Sequence, residues 1–312
     1  MNEFDYIEKY FKPLTNDVAR NLSDDAAVFK QRSKYDLVVS TDTLAEGIHF
    51  FGHESPRDIA KKSLRVNLSD MAAMGAKPIF YNLSISIPKD KVSYFLPKFA
   101  KGLDEDQELF GLKLIGGDLT SSLQNINITI TIFGETLNKK SVSRGGAKSG
   151  DLLFVSGILG LSKIGLDNFN SKLKAFSSAK KKYLFPQPRV NLGLSLNKIA
   201  NSMIDISDGL VQDAGHLAKN SSLSIILDIE KIPLPFYTNL NKDTLLEAAL
   251  FGGDDYELLF PCKPVHEKLI NKLSLEQKIK LTRIGFFQKY EKKFIMFQNQ
   301  HQSFQKKSYL HF

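Results

Sequence analysis

Cysteine is nearly absent: Cys262 is the single one in 312 residues. One thiol excludes an internal disulfide and any zinc site built on paired cysteines. Long apolar runs are missing too. No stretch approaches the ~18 apolar residues that a membrane-spanning helix needs. The opening segment MNEFDYIEKYF is acidic and amphipathic and lacks the apolar core of a signal peptide. The expected compartment is therefore the cytoplasm. Three nucleotide-binding signatures are also missing. GGAKSGD, residues 145–151, approaches a Walker A loop, but Ala147 stands where that loop needs glycine before Lys148. GILGLSKIG, residues 157–165, lacks the glycine spacing of a dinucleotide-binding turn. No HRD or DFG triplet of the protein kinases occurs.

What is present describes an ordinary globular chain, 42% apolar and 24% charged. At 312 residues it is too long for one average core, so two domains are expected. The net charge of +8 comes mostly from lysines scattered through segments such as KKKYLF and QKYEKKF. Aromatics are not interleaved with them, which argues against a nucleic-acid platform. The expected reading is a solvated basic surface, with attraction of small phosphorylated molecules by the overall field as the lesser alternative.

Periodicity gives the organisation. DLVVSTDT reads as a strand entering a loop. Ser55-Pro56-Arg57-Asp58 is a helix start, followed by Ala60, Leu64, Leu68 and Met71 at helical spacing, with Gly75 and Pro78 as the stop. IFYNLSISI alternates as a strand, residues 90–110 read as a helix, and LKLIGGDL as a strand feeding a Gly-Gly-Asp turn. NINITITIF is the clearest strand. The Gly/Ser/Lys-rich segment 138–151 marks an expected boundary, with domains over residues 1–140 and 141–312. Beyond it the alternation repeats: strands at DLLFVSG, MIDISDG and LSIILDI, and helices over 188–201, 210–220, 243–250 and 264–273. The class is α/β, in a two-domain α+β arrangement.

The chemistry concentrates in aspartates that recur at turns beside hydroxyls or glycines: Asp24-Asp25, Asp42, Asp118, Asp205 and Asp208, and Asp254-Asp255. Each alone has an ordinary explanation as a turn or cap residue. Asp70 is different. It sits within a helix beside the apolar stripe, where a lone carboxylate is costly. Asp42 and Asp118 end apolar strands, at the sheet edge where open α/β folds bind ligands. Converging carboxylates repel by about 4 kcal/mol per pair at ~4 Å and an effective dielectric of 20, so a cluster requires cations. The donor set is all oxygen, which selects Mg²⁺, Mn²⁺ or Ca²⁺. A magnesium-nucleotide enzyme is the working expectation.

The motifs LSDDAAVF, STDTLAEGIHF, RVNLSDMAAMGAKP, LIGGDLT, SRGGAKSGD, IDISDGL and FGGDDYELLF follow the order found in the thiamine-monophosphate kinases, and the chain resembles that family from about Asp24 to Tyr309. Sibling branches fit less well, since the chain ends in SYLHF without the terminal cysteine of the hydrogenase maturation factors and lacks the N-terminal cysteine of the selenophosphate synthetases. The resemblance implies a metal set of Asp25, Ser40, Thr41, Asp42, Asp70, Asp118, Asp205 and Asp208. It implies ATP contacts at Gly117, Asp118, Arg144 and Ser207, and thiamine monophosphate contacts at His49, Asp254 and Tyr309. It further implies several Mg²⁺ ions and ATP as co-substrate, with no covalent nucleophile or general base. The implied assembly is a homodimer whose N-terminal mixed sheets pair into a barrel, each followed by a C-terminal α/β domain, with neither nucleic acid nor membrane as a partner. Two departures stand out: Ser23 replaces the family's usual glycine, and Asp254 is one methylene shorter than its usual glutamate. Another ATP-dependent enzyme of the same superfamily and a non-catalytic nucleotide-binding regulator remain as alternatives.

Overall fold

The computed structural model describes residues 24–25, 27–30, 34–136 and 140–298. Residues 4–12, which the sequence pattern reads as a helix, and Tyr309 lie outside the described residues.

Five strands form the first sheet: β1 (Ala27–Lys30), β2 (Asp36–Ala45), β3 (Ala76–Pro88), β4 (Lys113–Ser122) and β5 (Asn127–Thr136), in the order β1-β2-β5-β3-β4. All neighbours are antiparallel except β3 and β4. That parallel pair needs a crossover, supplied by the helix α2 (Val92–Phe110). Alternation sets the two faces of the sheet. Val38, Ser40 and Leu44 of β2 and Ile128, Ile130 and Ile132 of β5 point into the protein. Thr41 and Thr43 point the other way, where their hydroxyls meet those of Thr131 and Thr129 at 2.9 and 2.8 Å.

The helix α1 (Pro56–Ala73) packs on the inner face. Pro56 opens it at a position where a missing N–H costs nothing, and the Ser55 carbonyl accepts from the N–H groups of Asp58 and Ile59 at 2.8 and 3.0 Å. The helix is enclosed nearly all round: Ile59, Leu64, Leu68 and Met71 are buried, and so are Lys62, Arg65, Asn67 and Ser69. Each of those polar groups has a partner, as burial demands. Arg65 makes a two-pronged pair with the fully buried Asp106 of α2, at 2.6 and 2.9 Å.

The second sheet has six strands: β6 (Leu152–Ser156), β7 (Ile204–Asp205), β8 (Leu223–Leu227), β9 (Leu258–Cys262), β10 (Leu281–Lys289) and β11 (Ile295–Phe297). Their order is β11-β8-β10-β6-β9-β7. Six helices accompany it: α3 (Leu161–Asp167), α4 (Ser177–Leu184), α5 (Val190–Leu196), α6 (Leu210–Ser221), α7 (Lys242–Phe251) and α8 (Glu267–Gln277). One apolar cluster draws on both sheets, joining Leu64 and Leu68 of α1 and Ile130 of β5 to Phe154, Phe260, Leu192 and Leu196. At the crossing of α1 and α5, a side chain on Gly193 would strike the backbone of Ala72, so only glycine permits that approach.

The mixed α/β class agrees with the sequence reading. One element differs. Gly116-Gly117-Asp118 is not a turn but the middle of β4, paired in parallel with Asn82, Leu83 and Ser84. The carbonyl of Leu83 lies where a side chain of residue 117 would sit, so the glycine serves close strand approach. No helix among the described residues is long and apolar enough to cross a membrane.

Candidate active site

Four local structures deliver carboxylates to one place. Strand β2 does not end at Asp42 but runs on to Ala45, and it presents Ser40 and Asp42 on the same face as the buried Leu44. The inner side of α1 presents Ser69 and Asp70. The short β7 carries Asp205, and the turn before α6 carries Ser207 and Asp208. All of these except the fully buried Ser69 line a pocket of about 430 Å³, together with Asp24, Asp25, Thr41, His49, Arg144, Asp254 and Tyr256. Among the described residues, seven aspartates and one arginine face it.

The contacts are close. The Ser40 hydroxyl donates to Asp70 Oδ2 at 2.5 Å, and the Ser69 hydroxyl to Asp205 Oδ2 at 2.5 Å. The Asp42 N–H donates to Asn67 Oδ1 at 3.2 Å, which ties β2 to α1. Arg144 closes the opposite side. Its guanidinium forms a two-pronged pair with Asp25, and its backbone N–H donates to Asp24 Oδ1 at 2.7 Å. Oxygens of Asp25, Asp70 and Asp205 all lie within 4.8 Å of one another.

Such crowding moves protonation equilibria. Burial, then the charge of Asp25, pushes Asp42 up to about 6. Burial and Asp25 likewise push Asp205 up to about 7. Burial raises Asp70 well above the ordinary aspartate value, and the charges of Asp42, Asp205 and Asp25 add to it. For Arg144, burial opposes the charge, but the Asp25 carboxylate outweighs it and the guanidinium is held more firmly protonated. The donor set is carboxylate and hydroxyl oxygen throughout, the chemistry of a hard divalent cation. Three carboxylates with oxygens this close could hold one such ion between them.

A stability prediction follows. Over roughly pH 4 to 7 the folded state holds protons on Asp42 and Asp205 that the unfolded chain has released. Stability therefore falls as pH rises through that window. In chelator the thermal midpoint is expected to be lower at pH 8 than at pH 5. Added Mg²⁺ is expected to raise it by about 5 °C or more at pH 8 and by much less at pH 5. Thermal melts at the two pH values check this, and an equal Mg²⁺ shift at both would contradict it.

Not every residue implied by the resemblance meets this pocket in a single chain. Gly117 and Asp118 lie on exposed β4. Thr43, Thr129, Ser84 and Asp118 stand in successive register across β2, β5, β3 and β4, and three strand spacings separate the ends by about 14 Å. The Thr41 hydroxyl is turned to Thr131 on the outer face, away from the other oxygens of the pocket that Thr41 lines. Asp254 reaches the rim in an unusual backbone. Gly253, Asp254 and Tyr256 all have positive φ, of 67°, 59° and 49°. This costs about 1–2 kcal/mol at each non-glycine position. The Asp254 and Tyr256 N–H groups hold the loop by donating to the Ser207 and Ile206 carbonyls, both at 2.8 Å. Asp255 points elsewhere and accepts from Gly160 N–H at 2.6 Å at the start of α3.

Other residues were not singled out by sequence. Lys62 is buried, donates to Asp254 Oδ2 at 3.0 Å and to the His49 carbonyl at 3.1 Å, and lies 3.7 Å from the centre of the Tyr183 ring. Tyr183 also donates to the His49 carbonyl, at 3.1 Å. Tyr256 donates to Asp254 Oδ1 at 3.0 Å. Asp213 accepts from the N–H groups of Asp208 and Gly209 at 3.1 and 3.2 Å, which anchors the turn before α6. Its oxygens, with Asp208 and His216, form a second acidic group. Burial, then Arg144 and Lys219, lowers His216 to about 4. In the sequence these residues look like ordinary helix members, with no local signal beyond their polarity.

Comparison with known proteins gives a consistent picture. Residues 23–136 match the family model for the AIR synthase related protein, N-terminal domain. The thiamine-monophosphate kinase of Buchnera aphidicola subsp. Schizaphis graminum is 40% identical over 98% of this chain and 97% of its own length. The thiamine-monophosphate kinase of Escherichia coli K12 is 36% identical over 83% of this chain and 82% of its own. A solved structure of AaThiL complexed with AMPPCP and TMP superposes with a TM-score of 0.87 at 31% identity. The match covers 100% of this chain and 97% of that one.

Proposed function

The chain belongs to the thiamine-monophosphate kinase family, and from that membership we infer that it transfers the γ-phosphoryl group of ATP to the phosphate of thiamine monophosphate, giving thiamine diphosphate and ADP. The observation that carries the reading is the carboxylate cluster. Asp25, Asp42, Asp70 and Asp205 face one pocket with Arg144 as its lining arginine. That charge pattern suits polyphosphate brought in with divalent metal and suits no bare anion.

The donor set fits Mg²⁺, which we assign to Asp25, Asp42, Asp70, Asp205 and Asp208, with Ser40 and Thr41 beside them. An ion held there would supply positive charge to the phosphates. The protein's own part is alignment. Arg144, its guanidinium held in place by Asp25, supplies positive charge at the pocket wall for a phosphate, and Ser207 lies at the same wall. The Ala45 N–H donates to His49 Nδ1 at 3.0 Å. The neutral ring then carries its proton on Nε2, the nitrogen suited to a phosphate oxygen. The acceptor phosphate is already anionic at neutral pH, so no base need remove a proton.

Asp118 and Gly117 enter through assembly. β1 pairs only with Asp36–Val39 of β2, so among the described residues the Ser40–Ala45 edge has no strand beside it. β4 is the other open edge, with Leu114, Ile115 and Leu119 exposed. Open edges with exposed apolar residues call for partners. We propose that two copies join these edges into a closed barrel, so that Asp118 and Gly117 of one chain stand beside Asp42 of the other. The passage from the first sheet to the second after residue 136 supports a domain division near residues 140/141.

Incubation with ATP and thiamine monophosphate, with and without Mg²⁺, tests the activity. Thiamine diphosphate and ADP formed only with Mg²⁺ is the expected result. ATP loss without thiamine diphosphate would point to a sibling synthetase, and nucleotide binding without turnover to a regulator.

A further inference from the structure

The part of the pocket that one chain forms has a volume of about 430 Å³, near the lower end of what one ligand usually occupies. With phosphates over the aspartates, the organic part of the acceptor must leave the pocket at one rim. The His49 and Asp254 rim continues directly into a cluster of rings. Phe51, two residues beyond His49, stacks on His53 at 5.4 Å between centroids. It also meets Phe169 at 5.1 Å and Tyr183 at 6.3 Å. Phe169 and Tyr183 meet edge-on at 5.7 Å.

The cluster is built into the site. Tyr183 and Lys62 both donate to the His49 carbonyl. The buried Glu54 carboxylate accepts from the N–H groups of Phe51 and Gly52, both at 2.8 Å, which fixes the loop that carries the exposed ring. Phe51 keeps 41% of its surface exposed, a large apolar face at the mouth of a charged pocket. Lys62, the nearby cation, is already paired with Asp254. The rim thus presents aromatic faces and carboxylates, a surface suited to a flat organic cation.

Resting on the kinase reading above, we propose that Phe51 and Phe169, backed by Tyr183, form the face that holds the thiazolium ring of thiamine monophosphate and so set acceptor specificity. ATP, whose base carries no such charge, does not use this face.

Calorimetric binding of thiamine monophosphate is read beside turnover. In the Phe51→Leu, Phe169→Leu double variant, Kd and KM for thiamine monophosphate are expected to rise about tenfold, within the range of a lost cation–aromatic contact. KM for ATP and kcat are expected to stay within twofold. Phe51→Tyr, which keeps a ring, is expected to bind as the parent does. A phosphorylated thiazole without the positive charge is expected to bind the parent and the double variant alike. An unchanged Kd in the double variant, or a Phe51→Tyr as weak as Phe51→Leu, overturns the proposal. A parent that binds thiamine monophosphate but makes no diphosphate unseats the kinase reading and leaves this one to be decided by the Kd values.

Discussion

Asp42→Asn is expected to reduce turnover by at least about 10³-fold while raising the thermal midpoint of the metal-free protein. The two effects share one cause. Burial and the charge of Asp25 make the Asp42 carboxylate costly to ionise, and the amide removes that charge without changing the shape of the side chain. Its backbone N–H keeps the bond to Asn67, and β2 keeps its register with β5. Relief of one repulsion is worth on the order of 1 kcal/mol, a rise of about 2–4 °C for a chain of this size. A neutral amide is a poor ligand for a hard divalent cation. Loss of one charged metal ligand over a transferring phosphoryl group removes about 4 kcal/mol of transition-state stabilisation, the energy equivalent of that rate loss. Steady-state kinetics and a melt in chelator check both halves. Normal turnover would remove Asp42 from the metal set, and a midpoint lowered by several degrees would show the carboxylate to be a structural support.

Asp118→Asn carries the second large effect, and its interest lies in mixing. On exposed β4 the substitution leaves the fold of one chain intact, yet turnover is expected to fall by about 10²-fold or more. If Asp118 of one subunit serves the Asp42 pocket of the other, a mixed dimer of Asp42→Asn and Asp118→Asn chains holds one doubly altered site and one intact site. Co-refolding the two inactive variants is then expected to restore up to about a quarter of parental activity, since half of the dimers are mixed and each has one good site. Purification through two different tags isolates the mixed dimer. If activity stays at the level of the single variants, Asp118 does not act across the interface.

The different fates of Asp42 and Asp118 show where sequence reasoning works. Asp42, Asp70 and Asp205 carry their signal locally: an apolar strand ending in hydroxyls, a carboxylate beside a helical apolar stripe, and a short strand before a glycine turn. Asp118 carries the same local signal, but its distance from the others is set by strand order and by a sheet edge left open, neither of which periodicity encodes. Gly116-Gly117 reads as a turn because glycine pairs usually mark turns, while here they allow β4 to lie close against β3. Asp255 resembles its neighbour in sequence, yet a positive-φ loop turns Asp254 to the rim and Asp255 to the start of α3. Lys62 and Tyr183 gain their roles only from partners 192 and 134 positions away, and a window along the chain does not join such pairs.

The enclosed helix α1 has an evolutionary consequence. Lys62, Asn67, Ser69 and Asp70 serve different neighbours around one cylinder, and each added or deleted residue turns everything beyond it by roughly 100°. One codon gained or lost between Pro56 and Asp70 would swing Asp70 away from Ser40 and put Ser69 or Met71 in its place, while the exposed turn before α7 has room for the same change. Length variation among descendants of this gene should therefore collect in surface loops and spare this one segment.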